Sequence, residues 1–338
     1  MKKKQVTLLE LAKRLDLAPS TVSRALNNRH RISEATRTRV KELARKLEYQ
    51  PNPLAKSLRE SKTYTLGVLV PEIANNFFAR AISGIEKTAF EAGYTIVLSQ
   101  SFESLEREQQ VAENMLSSGI DGLLVCPSCE TTDFDHFSSF MRRDTPVVFF
   151  DRIGIDFEAS KIVVDDYDGA KKAINYLWEK GCKRIAHLAG PEPLSVSKAR
   201  KAGYLDGLKQ NHIPIDEDLI HECSFDPRLI RNKVNQLMDM DNPPDAILAF
   251  NDQVGFHTIN ALKEKGVSIP EQVSVICFGG QFFTANVTPS LTTVVQPAFN
   301  IGKEAVKLML AHLDRDDKIS DTETVVLKTS LIIRDSSR

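Results

Sequence analysis

Apolar positions recur at two different spacings along this chain. Near the start they follow a helical period. Leu8, Leu11, Ala12 and Leu15 fall at i, i+3, i+4 and i+7. Val22, Ala25 and Leu26 form a second stripe, and Ala35, Val40, Leu43, Ala44 and Leu47 a third. From Tyr64 onward the pattern changes. Runs of strand length (Thr65–Val70, Tyr94–Ser99, Asp121–Cys126, Pro146–Phe150, Lys183–Leu188, Ala246–Phe250 and Val273–Phe278) alternate with amphipathic helices. Gly93, Gly119, Gly181 and Gly266 precede strands, where a left-handed helix C-cap is expected. Strand-helix alternation predicts parallel sheets with right-handed crossovers. About 275 residues exceed one comfortable doubly wound unit, so two similar lobes are expected.

The three early stripes have matching punctuation. Thr7 and Glu10 form a capping box at the first helix, and Asp16-Leu17-Ala18 is a three-residue turn. Pro19 suits the first position of the second helix, and Ser33 can cap the third, which Pro51 and Pro53 stop. Three short helices with that turn make a helix-turn-helix. The second helix then shows Ser20, Thr21, Ser23, Arg24 and Asn27 outward, a thin polar face able to enter a major groove about 12 Å wide.

Composition adds one decisive number. The chain has 338 residues, a length for about two domains, with 42% hydrophobic and 26% charged residues, ordinary for a core-forming protein. The formal net charge of -1 hides a split. Residues 1–62 carry 16 Lys/Arg against 6 Asp/Glu, whereas the remainder carries 28 against 39. A basic head on an acidic body points to nucleic acid as the head's partner. No run of 18 apolar residues and no secretory leader is read, so no membrane partner is expected. Five cysteines, an odd count, fit a reducing cytosol better than a disulfide framework, so a cytoplasmic location is expected.

Residues 6–62 closely resemble the head of the LacI/GalR family of bacterial transcription regulators. The resemblance rests on Val6-Thr7-Leu8 with Leu11-Ala12, on Thr21-Val22-Ser23-Arg24-Ala25-Leu26-Asn27, and on Tyr49-Gln50-Pro51-Asn52-Pro53-Leu54-Ala55 with Leu58. It continues through essentially the whole chain. It implies a homodimer that reads a near-palindromic double-stranded operator, usually as a repressor, under control of a small-molecule effector. It places Pro19, Ser20 and Arg24 at base-reading positions, and Thr7, Thr21, Ser23 and Asn27 at phosphate-contact or positioning sites. Ala18 stands where the family often has a hydroxyl cap. Asn52, Ala55 and Leu58 fall in a hinge helix that orders on DNA, with Leu58 as the minor-groove wedge.

The same resemblance implies a fold: a helical helix-turn-helix head and an α/β two-lobed body similar to periplasmic binding proteins, with parallel sheets flanked by helices. The expected division is residues 1–50 for the head, 51–62 for the hinge and 63–338 for the body. Lobe 1 would hold about 63–162 and 290–320; lobe 2 would hold about 163–289 and 321–338. Ligands in such sheets sit at strand carboxyl ends, facing one another across a cleft. Polar residues follow several strands there: Asp151, Ser195 to Ser197, Arg200, Asn251 and Asp252, while Phe77 and Phe78 open the first body helix. The resemblance puts Phe78, Asp151, Arg200 and Asn251 against a sugar-like effector, with Phe77 and Ser197 beside them. One departure stands out. Gly279 occupies a position where the family usually carries an acidic residue that grips sugar hydroxyls. The loss leaves Gln281 and the backbone as substitutes, and opens the alternatives of an anionic or larger ligand or a protein corepressor.

Catalytic chemistry finds little support. Cys126-Pro127-Ser128-Cys129 has no second pair with zinc spacing, and no phosphate-binding, zincin or nucleophile-elbow motif occurs. Asp165-Asp166 reads as the cap of the helix starting near Tyr167 rather than as an acid/base pair. No metal, cofactor or catalytic residue is expected, and a solute-receptor or enzyme reading of the body is the weaker alternative.

Overall fold

The computed structural model describes residues 6–27, 32–49, 62–154, 157–314 and 322–338. Two compact units emerge, one within residues 1–63 and the other spanning Tyr64–Arg338.

Among its described residues the smaller unit has three helices: α1 (Leu8–Leu15), α2 (Pro19–Leu26) and α3 (Glu34–Lys46). Leu11, Val22, Ala25 and Val40 are fully buried at their junction. Thr7 caps α1, its Oγ1 accepting from the Glu10 N–H at 3.2 Å. The Glu10 carboxylate does not complete the box as expected; it pairs along the helix with Arg14 at 2.7 Å. Ala18 offers α2 no side-chain cap, and Pro19 sits at its first turn. Ser33 caps α3 by accepting from Thr36 N–H. Ala35 is exposed rather than inward, because it lies on the first turn. The helix also stops before the prolines expected to end it. Glu48 takes a left-handed φ of 50°, and Tyr49 N–H donates to Ala44 O at 2.9 Å.

The larger unit is built on two six-stranded sheets. The first runs in the order β11-β5-β4-β3-β1-β2: Thr324–Leu327, Ser160–Val164, Val147–Phe150, Gly122–Val125, Thr65–Val70 and Thr95–Gln100. The second runs β12-β10-β9-β8-β6-β7: Ser330–Ile332, Thr292–Val295, Ser274–Gly279, Ala246–Ala249, Ile185–Ala189 and Ile220–Glu222. Every pairing is parallel except β10 with β12. The four predicted C-cap glycines take φ values of 80°, 71°, 90° and 74°.

Helices cover both faces of each sheet. In the first lobe α4 (Asn76–Glu91) lies against α12 (Ala298–Leu313). A Cβ on Gly84 would collide with Phe299 O, and one on Gly302 with Ala81 O, so only glycine permits this backbone approach. In the second lobe α7 (Asp166–Glu179) lies against α8 (Ser195–Gln210).

The chain crosses between lobes three times: at Asp165, at Gln296-Pro297, and at Lys328-Thr329. Two expected lobe assignments are corrected. Thr292–Val295, placed in lobe 1 from the sequence, is an interior strand of the second sheet, all four residues buried between β9 and β12. Thr324–Leu327, placed in lobe 2, pairs with β5 at the edge of the first sheet, where its burial alternates. The return to lobe 1 therefore begins at Gln296 rather than at 290.

Candidate functional site: an outward helix face and an interlobe cleft

On the head, burial of Val22 and Ala25 fixes which side of α2 looks outward. Pro19, Ser20, Arg24 and Asn27 are exposed; Thr21 and Ser23 are half-buried. Thr7 stands exposed at the start of α1. The Asn27 side-chain amide donates to Ser23 O at 2.8 Å, closing the end of α2. Asn52, Ala55 and Leu58 lie outside the described residues.

In the body, the strand carboxyl ends of the two lobes face one another. They enclose a narrow cleft of about 50 Å³ lined by Phe77, Phe78, Asp151, Arg200 and Asn251. Each is held by its own local chemistry. Phe77 and Phe78 open α4, behind the Asn75 cap, and their rings meet edge-to-face at 5.3 Å. Asp151 ends β4 with a left-handed φ of 62°, a conformation Asp tolerates better than most and one frequent at binding sites. Asn251 caps α10 (Asp252–Glu264), its Oδ1 accepting from Val254 N–H at 2.8 Å. That cap uses the carbonyl end of the amide and leaves the NH2 end for the cleft.

Arg200 is the most constrained of the set. Its guanidinium lies between the Phe250 and Phe278 rings, 4.7 and 4.1 Å from their centroids. Nε donates to Asp166 Oδ1 at 2.7 Å and Nη1 to Phe250 O at 2.7 Å. Burial raises the Asp166 carboxyl to about 6, against the pull of Arg200; the nearby Asp151 charge adds to the rise. Burial also raises the Asp151 carboxyl, opposed by Arg200, Arg152 and the Gln296 hydrogen bond.

Asp165 occupies the N-cap of α7 and Asp166 its first turn, as expected, but the Asp165 side chain makes no cap hydrogen bond. Asp165 Oδ1 accepts from Thr329 N–H at 2.6 Å, tying one interlobe crossover to another. Asp166 is committed to Arg200 instead. Ser197 is a second correction. Val196, one residue earlier, faces the cleft. The Ser197 hydroxyl is buried with no hydrogen-bond partner among the described residues. On this helix Val196, and not Ser197, lines the cleft. Gln281 opens α11 (Gln281–Ala285), its side chain lying outside what the structure describes.

Asp252 and Val196, in segments the sequence placed at strand ends, also line the cleft, and Asn75, Arg152, Phe250 and Gln296 are additional to the sequence-derived set. Arg152 is buried and forked onto Glu103 at 2.7 and 2.9 Å. Gln296, on the second crossover, donates to Asp151 Oδ1 at 3.2 Å. A direct bond joins the lobes near the mouth, from Ile153 N–H to Ser195 Oγ at 3.1 Å. Beyond it lies a larger opening of about 410 Å³ lined by Thr131, Arg152, Ser195 and Lys198 among others.

The cysteines offer no reactive thiol pair in this setting. Cys126 is fully buried at the end of β3, and burial pushes the Cys129 thiol up to about 11. Among the described residues there is no group of three or more metal-binding side chains, and no helix long and apolar enough to cross a membrane.

A helix-turn-helix head and a two-lobed body with a polar cleft together define a DNA-binding regulator that carries a small-molecule-binding domain. Residues 7–52 match the profile of "Bacterial regulatory proteins, lacI family", and residues 174–337 match the "Periplasmic binding protein-like domain". The HTH-type transcriptional repressor CytR of Escherichia coli (strain K12) is 32% identical over 337 residues, covering 98% of this chain and 96% of that protein. Catabolite control protein A of Priestia megaterium is 29% identical over 335 residues, covering 98% and 99%. Among solved structures, the transcriptional regulator CelR–cellobiose complex is 25% identical with a TM-score of 0.74, covering 98% of this chain and 100% of that one. The lac repressor dimer bound to operator and the anti-inducer ONPF shares the fold at 23% identity and a TM-score of 0.87, covering 98% and 99%. The chain belongs to the lacI family of bacterial regulatory proteins, as its head motif led one to expect.

Proposed function

We propose that this regulator is a repressor that binds a near-palindromic operator as a homodimer, its grip on DNA set by a sugar or sugar derivative in the interlobe cleft. The observation that carries the reading is the cleft itself. Asp151 and Asn251, which follow strand ends in the two lobes, and Arg200, from the helix after β6, converge there with Phe78. A rigid guanidinium fork, carboxylate acceptors, an amide and an aromatic face are the groups that a hydroxylated ring needs. The names of the relatives support the same reading: CytR and PurR are repressors, and CelR was solved with cellobiose.

Within this reading the head is residues 1–50, the hinge 51–62 and the body 63–338. Pro19, Ser20 and Arg24 read bases; Thr7, Thr21, Ser23 and Asn27 meet phosphates. Asn52, Ala55 and Leu58 engage the minor groove. Phe77, Phe78, Asp151, Arg200, Asn251 and Gln281 serve the effector. The protein works in the cytoplasm, where chromosomal DNA is accessible. Ligand binding would change the angle between lobes, as in hinge-closing binding proteins.

The test is selection of DNA from a random pool by the full-length protein, followed by footprinting and titration with sugars. A dyad-symmetric site whose occupancy changes with one sugar is expected. An asymmetric site bound by a monomer, or one indifferent to all sugars, would overturn the proposal.

A further inference from the structure

The cleft lacks a carboxylate at position 279, yet the space that such a side chain would fill is not empty. A Cβ built on Gly279 would lie 2.6 Å from the Asp252 Cβ and 3.0 Å from its Oδ2. Asp252 starts α10 on the neighbouring strand-to-helix turn, and its side chain leans into the gap left by two successive glycines at the end of β9. It is buried, lines the cleft with Arg200 and Asn251, and also lines a second opening of about 370 Å³ next to Asn75. Its nearest donors are backbone amides; Gly280 N–H stands 3.5 Å from Oδ2, at the limit of a hydrogen bond. A carboxylate has about four lone-pair sites, so this one keeps acceptor capacity for a bound molecule.

The charges around the cleft narrow what that molecule is. Two guanidiniums face it, and each already has a partner: Arg152 in Glu103 and Arg200 in Asp166. Asp151 and Asp252 complete a set of four carboxylates against two cations. An anionic ligand would enter a field of its own sign, whereas hydroxyl donors would meet acceptors.

We propose that Asp252 supplies, from helix α10, the hydroxyl-gripping carboxylate that position 279 lacks, and that the effector is an uncharged polyol rather than a phosphorylated or other anionic compound. This rests on the interlobe cleft being the effector site. The residue is a specificity determinant: it selects donors over acceptors at one end of the ligand.

The experiment uses the full-length protein, with thermal-shift and calorimetric titration of D-ribose, D-xylulose and cellobiose, each beside its phosphate ester, and of adenine. One neutral sugar is expected to bind, with its phosphate ester at least about 100-fold weaker. Asp252→Asn should weaken that sugar about 10- to 100-fold, the loss of one charge-assisted hydrogen bond. The same variant without ligand should melt about 1–4 °C higher, because it removes a buried charge that folding disfavours. Tighter binding of a phosphate ester or of adenine, silence from all three neutral sugars, or an unchanged sugar affinity in Asp252→Asn would each overturn the proposal. A lower unliganded melting temperature would do the same by making Asp252 a structural cap. Arg200→Ala separates this failure from failure of the site. If it too leaves sugar binding unchanged, the cleft is not the effector site; if it alone abolishes binding, only the role of Asp252 is lost.

Discussion

Arg200 and Asp166 meet at 2.7 Å with both side chains only 4% exposed. One belongs to the helix after β6 and the other to the helix after the first interlobe crossover, so the pair locks α8 to α7 at the cleft floor. A buried pair of this kind is expensive to break from one side, because the survivor keeps its charge without its partner. Arg200→Ala should therefore destabilise the body by about 3–5 kcal/mol, and Arg200→Ala with Asp166→Ala by clearly less than the sum of the two singles. Urea denaturation of the four members of the cycle checks this; additive losses would mean that the two side chains act independently.

The same pair makes stability depend on pH. Burial holds the Asp166 carboxyl at about 6, above its ordinary 3.8. A raised carboxylate binds its proton more tightly folded than unfolded, so its contribution is full below the unfolded value and is lost as pH rises through the folded one. Acidification from pH 7 toward 5 should therefore stabilise the body through this residue, by on the order of 1 kcal/mol. Asp166→Asn should flatten that part of the profile. A wild-type profile no steeper than the variant's between pH 5 and 7 would remove Asp166 as the source.

Much of this architecture was legible in the sequence, for reasons that particular residues make clear. The head's stripes are short and strictly periodic, and among the described residues every buried apolar head residue belongs to them. Interior strands such as Val147–Phe150 and Ala246–Ala249 are continuous apolar runs, as parallel sheets favour, whereas the interior Ser160–Val164 and Thr292–Val295 carry polar residues and were not legible as strands. The edges were harder. Thr324–Leu327 and Ile220–Glu222 are half-exposed and brief, so their pattern is weak. The cleft was only partly legible because polarity stood in for geometry. Ser197 was placed at the effector by the resemblance, yet it is Val196 that lines the cleft. Gln296 lies 145 residues from the Asp151 that it contacts, and no local pattern joins them.

Lobe 1 depends on a backbone-to-backbone approach that leaves no room for a side chain. Gly302 faces Ala81 O and Gly84 faces Phe299 O, one from each of the two packed helices. The obstruction is main chain, which cannot rotate aside as a side chain would. Gly302→Ala should push α12 away from α4 and cost about 1–3 kcal/mol or more, although alanine is the better helix former. A thermal melt of the variant at or above wild type would contradict the tight contact.

Recognition of DNA divides into two measurable parts. Arg24 is exposed on the outward face of α2, where a guanidinium can fork onto one guanine. Arg24→Ala should cost about 1–3 kcal/mol and relax preference at one base pair in each half-site. Equal weakening on every operator variant would make Arg24 a phosphate contact instead. The remaining affinity is electrostatic. A dimer of heads as basic as this one, with 16 Lys/Arg against 6 Asp/Glu in residues 1–62, should neutralise about 8–10 phosphates. The log–log dependence of binding on salt should then have a slope of about −7 to −9 in wild type, and Arg24→Ala should leave it nearly unchanged if Arg24 reads a base. A wild-type slope near −2 would be too shallow for two docked heads, and would mean that the protein does not engage its operator as a symmetric pair.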